Sequence, residues 1–150
     1  MAIEKYSAPA DRGTVLTTEL DSLSSGNFSG PGPVLDNSAN LDVWAQAELV
    51  VDFVSGPTLG SVCQLYAVIS RDGTNYEQGG ATAGGIAPPE SALVATFQLD
   101  DTTAAQRVAS NPFRLRGPFK HKFILRNRSG QSFPTSSSTV SVSTYNRDIA

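Results

Sequence analysis

Two side chains of the kind that catalysis uses most often each occur once in this chain, Cys63 and His121. An active site needs a nucleophile or metal together with a positioned acid or base. With one histidine, neither a histidine-based metal site nor a paired-histidine mechanism can be assembled within a single chain. Cys63 lies in the apolar run Val62-Cys-Gln-Leu-Tyr-Ala-Val-Ile, without a basic neighbour to lower its pKa. It reads as a small buried hydrophobe, and being alone it excludes an intramolecular disulfide. His121 alternates with Phe119 and Phe123 and reads as a partly buried structural imidazole.

Carboxylates are more plentiful. Asp36, Asp42, Asp72, Asp100 and Asp101 flank turns, where an aspartate bonds its own backbone. The segment Asp36-Asn-Ser-Ala-Asn-Leu-Asp faintly resembles a calcium loop. It lacks the glycine required at the sixth position and has Ala47 where the twelfth needs glutamate, so it reads as a plain loop. Gly79-Gly80 and Gly84-Gly85 are not spaced like a phosphate-cradling loop, and no Lys-Ser or Lys-Thr follows them. The expectation is a chain that is not an enzyme, with no catalytic residue and no metal or cofactor.

Charge is distributed unevenly. Residues 1–101 hold three basic and thirteen acidic side chains, and residues 102–150 hold eight basic and one acidic. From Arg107 to Arg128 there are seven cations and no acid, interleaved with Phe113, Phe119 and Phe123. Such a segment suggests nucleic acid, but the phenylalanines alternate away from Lys120 and Lys122, and the overall pI is near 5.0. Two arrangements stay open. Strands from both halves interleave and the charges mix, or one face is basic and docks on an acidic protein surface. The candidate interface residues are Arg114, Arg116, Lys120, Lys122, Arg126 and Arg128. Trp44, on the polar side of its strand, marks either a subunit contact or cover by another segment of the same chain, such as residues 1–13 or Leu16–Leu23, and Tyr76, beside a turn, joins the candidates as an aromatic expected at the surface.

The elements that must position these residues are strands. Leu41, Val43, Ala45, Ala47, Leu49, Val51 and Phe53 are all odd-numbered and apolar, and period two marks a half-buried strand. Residues 62–70 read as a central strand, followed by an Asp72-Gly73 turn and a long loop from Gly79 to Pro89. Leu93 to Leu99 alternate again, 106–115 is a strand interrupted at Pro112, and 119–125 and 140–144 complete the set. Leu16, Leu20 and Leu23 have helical spacing in a stretch that also suits a strand. Residues 1–13 show no periodicity and read as an N-terminal arm, with 14–150 as one domain. No run reaches signal-peptide or membrane-span length. Charged residues are only 17%, and Ser, Thr, Gly, Asn and Pro fill the gap. Seven or eight strands with turns every 10–15 residues imply an all-β, two-sheet antiparallel sandwich with at most one short helix.

The order of several segments resembles small structural proteins of tailed bacteriophages, the capsid decoration or cement class. The matching stretches are Leu16-Thr-Thr-Glu-Leu-Asp-Ser-Leu, Asp36-Asn-Ser-Ala-Asn-Leu-Asp, Ala47-Glu-Leu-Val-Val, Leu65-Tyr, Ser70-Arg-Asp-Gly-Thr-Asn-Tyr and Phe119-Lys-His-Lys-Phe-Ile-Leu-Arg-Asn. They span most of residues 14–147. The resemblance implies a jelly-roll-like sandwich on the capsid exterior, made in the host cytoplasm. Its implied partners are the major capsid protein and copies of itself, as dimer or trimer, with no direct nucleic-acid or membrane contact. The class has no catalytic signature, so no functional residue is carried over. A carbohydrate- or receptor-binding sandwich of a tail spike or adhesin is the alternative, with Trp44 and Tyr76 as its platform.

Overall fold

The long alternating run forms a strand from Trp44, not from Leu41. In the computed structural model, which describes residues 3–80 and 85–149, Ala45, Ala47, Leu49 and Val51 point inward from β4 (Trp44–Val51). Leu41 stands before the strand at φ +56° and 58% exposed, and Val43 is exposed as well. The departure has a local cause. Asn37 accepts the Asp42 N–H and donates to the Asp42 carbonyl, and this closed loop turns the chain before extended pairing begins.

The remaining strands are β1 (Glu4–Tyr6), β2 (Ala10–Leu16), β3 (Leu35–Asp36), β5 (Val62–Ser70), β6 (Leu93–Gln98), β7 (Gln106–Ala109), β8 (Phe113–Arg114), β9 (Lys120–Arg128), β10 (Thr139–Tyr145) and β11 (Arg147–Ile149). One sheet runs β2-β10-β4-β7, with β8 also paired to β4, and the other runs β3-β9-β5-β6. The pairs nest: β5 with β6, β4 with β7, β3 with β9 and β2 with β10, all antiparallel. A long ribbon folded over and rolled so that its two arms fall in two sheets has this order, which is a jelly roll. Single 3-10 turns at Thr18–Leu20 and Glu90–Ala92 are the helical elements among the described residues.

The core lies between the sheets, where Leu49, Val51 and Phe53 meet Cys63, Leu65, Phe97, Phe123 and Leu125. A second cluster lies outside the β9-β5 pair. There Tyr66, Val68, Ala92 and Ile124 are covered by Phe28 and Tyr76 from the flanking loops. The 62–70 run is therefore buried on both faces, as its near-continuous hydrophobicity requires. Residues 26–32 also run along β9, with Ser29 N–H bonded to the Leu125 carbonyl and Gly32 N–H to that of Phe123.

The segment read as an arm is built into the fold. Tyr6 pairs with Arg147, and β2 pairs with β10 from Ala10 onward, so a boundary at residue 13 cuts a strand. Register shifts along β10 and Gly13 at φ +77° mark bulges in β2. Bulges break the period-two pattern, which is why this edge strand looks structureless in sequence. Leu16, Leu20 and Leu23 are all buried, the first ending β2 and the second in the 3-10 turn. Residues 1–2, 150 and 81–84 of the long loop lie outside the described residues.

Candidate functional site

Three aromatic rings and two arginines gather on the outer face of the β2-β10-β4-β7 sheet. Tyr145, Trp44 and Arg114 occupy directly opposed positions on β10, β4 and β8, so their side chains share one face. The Arg114 guanidinium lies 5.7 Å from the Trp44 ring centre, and that of Arg147 lies 4.7 Å from it. Arg147 also lies 5.6 Å from the Tyr6 ring, and Tyr6 packs edge-on against Tyr145 at 5.5 Å. Tyr6 is 67% exposed, which is unusual for a ring held by two neighbours. Beside it, Tyr6, Ser7, Pro9, Gln46, Pro112 and Tyr145 line an open hollow of about 370 Å³.

Asn146 fixes this arrangement. Its N–H donates to Ser7 Oγ at 2.7 Å and its carbonyl accepts the Ser7 N–H at 2.9 Å. Its side chain accepts the Val43 N–H and donates to Asp42. The residue thus ties the β1–β11 ribbon to the end of β4. Asp42 also receives Arg12 and the Thr144 hydroxyl, so this carboxylate of the calcium-like segment is occupied by protein donors. At its other end, Asp36 accepts the N–H and hydroxyl of Ser38, bonds that hold its carboxyl below the usual range. No cluster of three or more metal-ligating side chains occurs among the described residues.

The seven-cation segment does not form one face, because the chain crosses between sheets from Leu115 to Phe119. Arg107 and Arg114 lie in one sheet, and Lys120, Lys122, Arg126 and Arg128 lie on β9 in the other. Two of the four β9 cations are engaged. Lys122 bonds the Gly80 carbonyl with its ammonium 4.4 Å from the Tyr76 ring centre, and Arg126 lies 5.0 Å from that of Phe28. Lys120 is half-buried, and Arg128 is exposed. Arg116 binds both carboxylate oxygens of Glu77 and the Ala67 carbonyl, and Arg107 pairs with Glu48. Interleaving of the two halves accounts for the charge pattern.

Trp44 and Tyr76 do not meet either. Trp44 is on the outside of one sheet, whereas Tyr76 belongs to the cluster outside the other. Of the residues expected at the surface Arg114 does accompany Trp44; Tyr6, Tyr145 and Arg147, which complete the cluster, lie at or beyond the ends of the segments whose alternation is legible. Their one sequence mark is the pairing of aromatics with arginine near both ends of the chain.

His121 is fully buried and held in one tautomer. Its Nε2 accepts the Arg116 N–H at 3.1 Å, so Nδ1 carries the proton and donates to the Phe119 carbonyl at 2.9 Å. Burial, with the Arg116 charge adding to it, pushes its pKa below the ordinary histidine value. Burial pushes the Cys63 thiol up to about 12. Compared with known proteins, the chain matches no family model and no curated protein.

Proposed function

We propose that this chain is a non-enzymatic virion structural protein that binds the outside of a tailed-bacteriophage capsid and stabilises its lattice. The observation that carries the reading is the Tyr6–Trp44–Tyr145 cluster with its two arginines. Trp, Tyr and Arg are the residues most enriched at the energetic centres of protein interfaces. A jelly roll presenting such a patch on one outer sheet face suits docking on a broad protein surface. The segment resemblance to decoration proteins supports the same reading. Fold alone does not choose a function, so the patch supplies the argument. The arginines stacked on Trp44 cover the ring that a sugar would use, which disfavours a glycan platform there.

The test is mass spectrometry and cryo-electron microscopy of purified virions that carry this chain, with Trp44→Ala and Arg128→Glu variants compared in capsid binding. The expected result is sandwich-shaped density on the capsid exterior, with binding weakened about ten-fold or more by Trp44→Ala and unchanged by Arg128→Glu. Absence of the chain from the particles, or capsid binding by Trp44→Ala equal to that of the wild type, overturns the reading.

A further inference from the structure

Sheet edges expose unpaired backbone groups, and most proteins blunt them. Three of the four edges here are blunted. β2 is bulged and carries Asp11 and Arg12. β7 is four residues long with Arg107 in it, and the chain beyond it breaks at Pro112. The far edge of β9 is covered by residues 26–36. The fourth edge, β6, is different: Leu-Val-Ala-Thr-Phe-Gln has neither charge nor proline, and β5 is its partner on one side only.

The direction of its free groups follows from the ladder. The Leu99 N–H donates to the Ser61 carbonyl at 2.8 Å, toward the β5 side. Backbone groups alternate along a strand, so those of Phe97 and Ala95 also face β5, and those of Thr96 and Gln98 face the open edge. No described residue bonds to them. An open groove of about 350 Å³, lined by residues 93–96 with Asn111 and Pro112, runs beside this edge.

We propose that β6 is a pairing edge on which a second copy of this chain adds its own β6, antiparallel, about a two-fold axis at Thr96. The sequence is self-complementary in that register. Thr96 faces its counterpart and exchanges two N–H···O bonds with it, an opposed threonine pair that is favourable on a sheet face. Ala95 meets Phe97 of the second copy on the core side, which continues the apolar layer. Nothing charged opposes anything of like charge. The two β3-β9-β5-β6 sheets become one. This inference is independent of the docking patch, which lies on the other sheet.

Sedimentation velocity over a concentration series tests it, together with cysteine cross-linking. Thr96→Lys places two ammonium groups face to face and is expected to weaken dimerisation about ten-fold or more with the melting temperature of the monomer retained. Thr96→Cys is expected to form a disulfide dimer under mild oxidation, since opposed residues of a hydrogen-bonded pair lie at about 5.5 Å, within disulfide range. Gln98→Cys, opposite Val94, is expected not to. Cys63 is buried and does not compete. A wild type that stays monomeric, a Thr96→Lys variant that dimerises equally well, or cross-linking of Gln98→Cys as readily as Thr96→Cys overturns the proposal.

Discussion

Arg116 binds both carboxylate oxygens of Glu77, reaching from the crossing between β8 and β9 to the loop that follows β5. The same guanidinium donates to the Ala67 carbonyl, and Glu77 accepts the Ile69 N–H at 3.0 Å. Burial opposes ionisation of Glu77, yet the bonds from Arg116 and Ile69 prevail and hold its carboxyl below the usual range. Charge-assisted bonds are worth about 1.5–3 kcal/mol each when one partner is deleted. Glu77→Ala is expected to lower stability by about 2 kcal/mol and the melting temperature by roughly 4–8 °C, read by calorimetry. Glu77→Ala with Arg116→Met is expected to cost less than the two changes summed, since no unpaired charge remains.

His121 gives the fold a pH response of predictable sign. Its folded pKa lies below the unfolded value, so between the two the unfolded chain binds more protons. Stability is therefore full above about pH 6.5 and falls as pH drops toward the folded value, by at most about 1.4 kcal/mol per pH unit. The carboxylates of Asp72 and Glu77, both held below the usual range, add their losses at lower pH. Urea unfolding of the wild type and His121→Gln between pH 5 and 8 is the measurement. Glutamine can keep both bonds without titrating, so the difference between the two curves is expected to vanish above pH 7 in slope and to appear below it.

Asn127 is buried in the main core at the end of β9. Its side chain donates to the carbonyls of Leu23 and Gln131 and accepts the Ser129 N–H. Asn127→Leu leaves all three backbone groups without that partner, and a cost of about 2–4 kcal/mol is expected in urea unfolding. Asn127→Asp, which accepts but cannot donate, is expected to fall at least as far at neutral pH.

Asn146 ties the ribbon of β1 and β11 to the sandwich, and Asn146→Ala removes the side-chain half of that attachment. An isolated two-stranded ribbon is marginal in water. Faster hydrogen exchange at residues 4–6 and 147–149 is expected, with protection retained in β4, β5 and β9. Unchanged exchange in the ribbon would show that Tyr6 and Tyr145 hold it without Asn146.

The architecture was legible where one face of a strand is buried and the other solvated. Ala45 to Val51 announces its strand because burial alternates with every residue, and His121, Phe123 and Leu125 keep the same period although Ile124 is buried on the opposite face. β2 was not legible, since its bulges and its edge position leave no regular face to pattern. The aromatic cluster around Trp44 was half legible for a different reason. Trp44 stands out as a large ring on a polar face, but Tyr6 and Arg147 acquire meaning only when the two ends of the chain pair. The cations from Arg107 to Arg128 left two arrangements open in the sequence because proximity along the chain does not reveal the one crossing that divides them between sheets.

The nested pairing of strands has a consequence for the order in which the chain can assemble. The β5–β6 contact closes the shortest loop, and each pair outside it, β4–β7, β3–β9 and then β2–β10, is separated by more chain than the one within. The entropy of closing any outer pair from the open chain grows with its loop, but it falls to a short span once the inner pair is formed. Assembly is thus expected to propagate outward from β5 and β6, at the slow rates of folds dominated by distant contacts. The bare edge strand β6 is then present from the earliest step, before either end of the chain has found its place.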